Sequence, residues 1–150
     1  MKTLATLAVA ALILSVPAAQ AQQPAAAAAT PYKSISSKLN RNQIDGLLGY
    51  PDQVLIVDVR RPDEITTIGG FPAYLSVQAK DLEASVALIP RDRTIITVSN
   101  HANRALKAAD TLLAKGFKVA GAAGVQDYEA EGGKLTKIAA PAPKLASAAP

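Results

Sequence analysis

The sequence predicts an α/β layered domain built on a central, mostly parallel five-stranded sheet flanked by helices. Three observations predict it. Gln53–Arg60, QVLIVDVR, is an almost unbroken apolar run that ends in charge, as in a strand buried on both faces of a parallel sheet. Thr94–Val98, TIITV, is five consecutive β-branched residues, the composition of a central strand. Each run leads through a short loop into a helical pattern, and strands that alternate with helices build parallel sheets.

The elements follow in chain order. Tyr32–Ser36, YKSIS, is a weak edge-strand candidate. Asn40 is placed as a helix N-cap with Gln43 as its capping-box partner, and Leu39 and Ile44 can form the hydrophobic staple. Ile44, Leu47 and Leu48 then share a face, and Gly49 stands where such a helix ends. After the first strand, Pro62 suits the first turn of a short helix. AYLSV, residues 73–77, reads as a strand, Asp81–Ile89 as a helix closed by Pro90, and Arg91–Arg93 as a turn. Ala105, Ala108, Ala109, Leu112 and Leu113 recur at helical spacing, so a helix opens at Arg104 and ends at Lys115-Gly116. FKVAGA, residues 117–122, is a short strand, and Gly124 leads into one or two helical turns. Gly69, Gly70 and Gly124 read as turn residues with positive φ. Ligands of such sheets sit outside the carboxyl ends of the strands. That places Asp58, Arg60 and the segment Ser99–Arg104 at one end of the domain.

The chain ends differ in composition from its middle. Lys2, the apolar stretch Leu4–Val16, Pro17 and the small-x-small triplet Ala19-Gln20-Ala21 read as a secretory signal peptide, residues 1–21, cut after Ala21. The apolar stretch is short for a membrane span, so an uncleaved anchor is the weaker reading and no stable anchor is expected after cleavage. Without cysteine, a lipid anchor at that point is excluded. The expected location is therefore periplasmic or secreted. Residues 22–31 and 139–150, rich in Ala and Pro, read as disordered linker and tail around a domain of residues 32–138. Of 150 residues none is cysteine, so an exported fold here rests on its core alone. The formal charge of +4 falls to +3 once Lys2 is removed. The charge is mixed in sign, with no basic run of the kind that marks nucleic-acid binding.

LIVDVRRPDE (55–64), GGFPA (69–73), IITVSNHANRALKAADTLLAKGFKV (95–119) and GVQDYEAEGGKL (124–135) follow one another along the domain. In these motifs, their order and their approximate spacing the chain resembles the rhodanese family. It implies a three-layer rhodanese-like fold. It also implies a catalytic loop whose first residue is a cysteine that carries sulfur as a persulfide, and whose last is an arginine. Ser99 stands at the cysteine position, Asn100, His101, Ala102 and Asn103 form the loop, and Arg104 closes it. Four intervening residues match the sulfur-handling branch; the related phosphatases have one more.

Serine cannot carry the persulfide. The exchange needs a soft thiolate that is partly ionised near neutrality, and a hydroxyl offers neither property. Met1 is the only other sulfur and leaves with the signal peptide. A Ser99–His101–Asp58 triad would need the imidazole to reach the hydroxyl from two residues away in a tight loop, and no Gly-x-Ser-x-Gly elbow is present. His101 reads instead as a solvated side chain. Anion binding survives the loss of cysteine: the loop N–H groups and the helix dipole converge at Ser99–Arg104, with Asp58 and Arg60 as supporting residues. Against that stands a plainer arrangement, in which Asn103 caps the helix and Arg104 pairs with Asp58 or Glu64. Arg61, Asp63 and Glu64 read as a solvated helix face, and Tyr128 as a core or lid contact. One histidine and no cysteine make a zinc site improbable, and no phosphate-binding loop motif is present. No cofactor is expected. The expectation is a non-catalytic binding or regulatory module for a small oxyanion or a periplasmic protein partner. The alternative is a sulfurtransferase-related enzyme that borrows a partner's thiol or uses Ser99 differently.

Overall fold

The computed structural model describes residues 32–137 and Ala139. The expected signal peptide and linker, and the tail beyond Ala139, lie outside the described residues. Eight regular elements follow one another: α1 (Arg41–Leu48), β1 (Val54–Asp58), α2 (Pro62–Ile68), β2 (Leu75–Ser76), β3 (Thr94–Ser99), α3 (Ala102–Ala114), β4 (Val119–Gly124) and α4 (Val125–Ala130). The strands form one sheet in the order β2-β1-β3-β4, with every neighbouring pair parallel. The two apolar runs that predicted the fold are its two central strands.

Four strands form where five were expected. The missing one is the segment 32–36, and its polar groups are drawn elsewhere. The Asp110 carboxylate of α3 accepts hydrogen bonds from Tyr32 Oη (2.7 Å), Ser34 Oγ (2.8 Å) and the Ser36 N–H (2.8 Å). A clasp on α3 thus replaces a ladder. Only beyond it does the chain touch the sheet, where Leu39 N–H donates to Ala122 and Ala122 N–H donates to Ser37. Gly121 permits that approach, since a Cβ there would lie 2.6 Å from the Ser37 carbonyl oxygen.

Strand alternation sorts the core into two halves. Ile56, Ile96 and Val98 face α1 and α4, where Ile44, Phe71, Val125 and Tyr128 pack. Val57 and Ile95 face α3 and pack on Ala108, Leu112, Val77 and Ile89. The third contact, α3 on β4, is made of Ala105, Ala109 and Ala122, and such small side chains let helix and strand approach closely. Tyr128 is a core residue: its ring lies 5.1 Å from Phe71 and its hydroxyl donates to Asp45.

The α1 signals act as read. Asn40 and Gln43 exchange two 3.0 Å hydrogen bonds as a capping box. Three expectations are corrected. AYLSV pairs only at Leu75 and Ser76, because Pro72 lacks an N–H and the chain before β2 bends out. Asp81–Ile89 is not an α-helix but turns flanked by short 3-10 segments, Ala79–Asp81 and Val86–Leu88. Its Leu82 and Ile89 reach the core while Leu88 stays 69% exposed, which ties the segment down at two points. Of the three glycines expected at positive φ, only Gly69 has it, at 96°.

Candidate functional site: a closed loop at the end of the central strands

The site forms where β1 and β3 end side by side, as the parallel register requires: Asp58 pairs with Val98, one residue before Ser99. Alternation along β3 points both Thr97 and Ser99 toward α3. The Thr97 hydroxyl donates to the Ala105 carbonyl at 2.8 Å, and Ser99 Oγ accepts from the Ala105 N–H at 3.0 Å. Ser99 also donates to the His101 carbonyl. Its hydroxyl is thus held between the carbonyl and the N–H that open α3, and its side chain is fully buried. The helix begins at Ala102, two residues before the predicted start, so Ala102, Asn103 and Arg104 are its first turn rather than loop. His101 is the N-cap residue, and Asn103 is exposed rather than capping.

The charges at this end are already paired. Asp58 and Arg60, 1% and 0% exposed, form a two-pronged pair through Nε (2.9 Å) and Nη2 (2.7 Å). Arg60 Nη1 donates to the Gly69 carbonyl at 3.0 Å, so the positive φ of Gly69 presents that carbonyl to the buried arginine. Glu64 was expected on a solvated helix face. It instead lies over the loop with its side chain 14% exposed. It accepts from both terminal nitrogens of Arg104 (2.9 and 2.6 Å), from Asn100 Nδ2 (2.7 Å) and from the Arg61 N–H (3.0 Å). The Arg104 guanidinium and these N–H donors outweigh partial burial and hold the Glu64 carboxyl down to about 2. Arg61 and Asp63 are the solvated pair expected of that face.

On the other side of the loop, Asp127 of α4 binds His101 Nδ1 (2.9 Å) and Lys38 Nζ (2.8 Å). Burial raises the Asp127 carboxyl, but Lys38 and His101 prevail and it titrates below its ordinary range. Gly124 packs here because a Cβ would meet Asp127 Oδ2 at 2.5 Å and the Ala102 nitrogen at 2.9 Å. Close approach, not φ, selects that glycine. His101 is solvated as expected, but its carboxylate is Asp127, which no spacing in the sequence signalled, and its ring is not what the Ser99 hydroxyl touches. The triad geometry is absent. Beside the loop is a shallow cleft of about 250 Å³ lined by Val59, Arg61, Gln78, Ala79, Lys80 and Arg104. Among the described residues no cluster of His, Cys, Asp and Glu could hold a metal ion.

The fold that carries this site is one that solved structures share. A rhodanese-related protein from Thermoplasma volcanium superposes with a TM-score of 0.59 at 20% identity, covering 67% of this chain and 98% of that one. This is a rhodanese-like fold. A rhodanese-like domain protein from Staphylococcus aureus matches with a TM-score of 0.56 at 19% identity, covering 67% and 98% of the two chains. A thiosulfate sulfurtransferase from Pseudomonas aeruginosa matches with a TM-score of 0.55 at 26% identity over 67% of this chain, but only 20% of its own length is covered. No protein-family model matches the chain, and no curated protein does. The chain thus has a rhodanese-like fold, with serine where the resemblance places a cysteine and no cysteine anywhere in the chain.

Proposed function

We infer that this is a non-catalytic rhodanese-like module, exported by its N-terminal signal, whose inherited loop now serves the fold and whose role is to engage a partner. One observation carries the reading. The Ser99 hydroxyl is buried and bonded on both sides to the backbone that opens α3. A nucleophile needs a free lone pair facing a reactant and a base to take its proton. Ser99 has neither: it is buried with its oxygen accepting from the Ala105 N–H, its proton faces a carbonyl, and the one imidazole is turned to Asp127.

Anion binding at the loop is opposed by the same geometry. Glu64 already takes up the N–H donors that Arg104 and Asn100 would offer to an oxyanion, and Asp127 adds negative charge on the far side. A bound anion would have to displace Glu64. The purified protein is tested with thiosulfate and cyanide, and with sulfate in a thermal melt. The expected result is no turnover above a Ser99→Ala control and no rise in Tm with sulfate, against a rise in Glu64→Gln. Thiocyanate formation above that control would sink the reading, and a sulfate-dependent rise in the parent would restore the loop as an anion site. Export is checked by N-terminal sequencing of the protein recovered outside the cytoplasm, with Gln22 expected first.

A further inference from the structure

β3 accompanies β1 along its whole length, from Val54 to Asp58. On the opposite side β2 meets β1 only at Val57 and Asp58. The chain ahead of β2 bends out at Pro72, and a wedge opens between Pro72–Tyr74 and the free edge Val54–Ile56. Leu48 and Pro51 line it too, and its volume is about 380 Å³. Small-molecule sites span roughly 300–1,000 Å³ and are mostly apolar with a few polar groups that fix orientation. This cavity has that character. Arg93 is the only charged side chain that lines it. Arg93 Nη1 donates to the Pro51 carbonyl at 3.3 Å, and no carboxylate among the described residues forms an ion pair with it. A guanidinium has five N–H donors in a planar fork, so most of this one is available to an anion. The wedge lies by the start of β1, whereas Ser99 ends β3, and the two sites share no residue.

We propose that this wedge binds a small amphipathic carboxylate, its apolar body against Leu48, Val54 and Tyr74 and its charge on Arg93. The apolar walls supply affinity and the single cation supplies orientation. Three residues of free edge are a poor template for an added strand, so a compact ligand suits the wedge better than an extended peptide.

The test titrates sodium decanoate into the purified, nitrogen-15-labelled protein and follows backbone amide shifts. Saturable shifts are expected at Leu55, Ile56, Ala73, Tyr74 and Arg93. Decanol, with the same body and no charge, is expected to bind about tenfold more weakly, the scale of one charge-assisted contact. Arg93→Gln removes that difference. Ala73→Trp, made at an exposed position on the rim, fills the wedge and abolishes the shifts. The proposal is overturned if the parent shows no saturable shift, if the shifts scatter over exposed residues such as Ile35 and Leu88, or if decanol binds as tightly as decanoate.

Discussion

Ser99 and Thr97 place two hydroxyls of one strand on the same backbone unit, the N–H and carbonyl of Ala105. Removing the Ser99 hydroxyl takes this acceptor from the buried Ala105 N–H, and a buried donor left unpaired costs about 1–3 kcal/mol. Ser99→Ala is therefore expected to lower unfolding stability by that amount in a urea titration, a loss that an idle or solvated serine would not produce. The buried pair below it is more sensitive. Arg60→Ala strands the Asp58 carboxylate in the core, and breaking a buried pair in this way costs about 3–5 kcal/mol. The expected readout is loss of cooperative unfolding or a much lower urea midpoint. Glu64 gives a pH signature. Its carboxyl is depressed from 4.5 to about 2 in the folded protein, so its contribution is complete above pH 4.5 and disappears as pH falls toward 2. Stability measured across that window should decline in the parent and decline less in Glu64→Gln. An equal decline in both would show that the Arg104 pair contributes nothing.

The elements differ in how much of their placement is local. α1 was readable because its cap, capping-box partner and staple all lie within a few residues, and short-range hydrogen bonds decide its start. Apolar spacing begins at Ala105 and so puts the start of α3 two residues late, while the hydroxyls that fix the first turn come from β3. Asp81–Ile89 has helical spacing, yet its turns follow the need to bridge β2 and β3 with Leu82 and Ile89 in the core. Segment 32–36 reads as a weak edge-strand candidate because nothing nearby marks Asp110, 74 residues beyond Ser36, as its partner. That clasp can be tested by itself. Burial works against ionisation of Asp110, but hydrogen bonds from Ser36, Tyr32 and Ser34 hold its carboxyl far below the usual range. Asp110→Asn keeps the shape but leaves only one acceptor oxygen. It is expected to speed proteolysis between Tyr32 and Ser36 while the circular dichroism of the domain stays unchanged.

Over the whole molecule, what the sequence made legible is the part set by patterns of burial. The apolar runs at 54–58 and 94–98 located the centre of the sheet, and their carboxyl ends located the loop. Those ends bring Ser99, the closing Arg104, Asp58 and Arg60 to one face of the domain. Their pairing does not follow from the runs. Whether Arg104 meets Asp58 or Glu64 depends on how α2 leaves β1, and the contacts around that junction join Gly69, Arg60, Asn100 and Glu64 from separate segments. Lys38, Asp127 and His101 come together from positions spread over 90 residues, and no local rule links them.

The shape of the sheet has a further consequence, for colloidal behaviour. An exposed strand edge invites neighbouring chains to add to it and grow into fibres. Here one margin, β2, is two residues long and preceded by a proline, and the other, β4, is shielded by Ser37–Leu39. A chain with no disulfide to hold it through transient unfolding meets that hazard with geometry instead: the folded sheet presents no long, flat edge from which aggregation could be seeded.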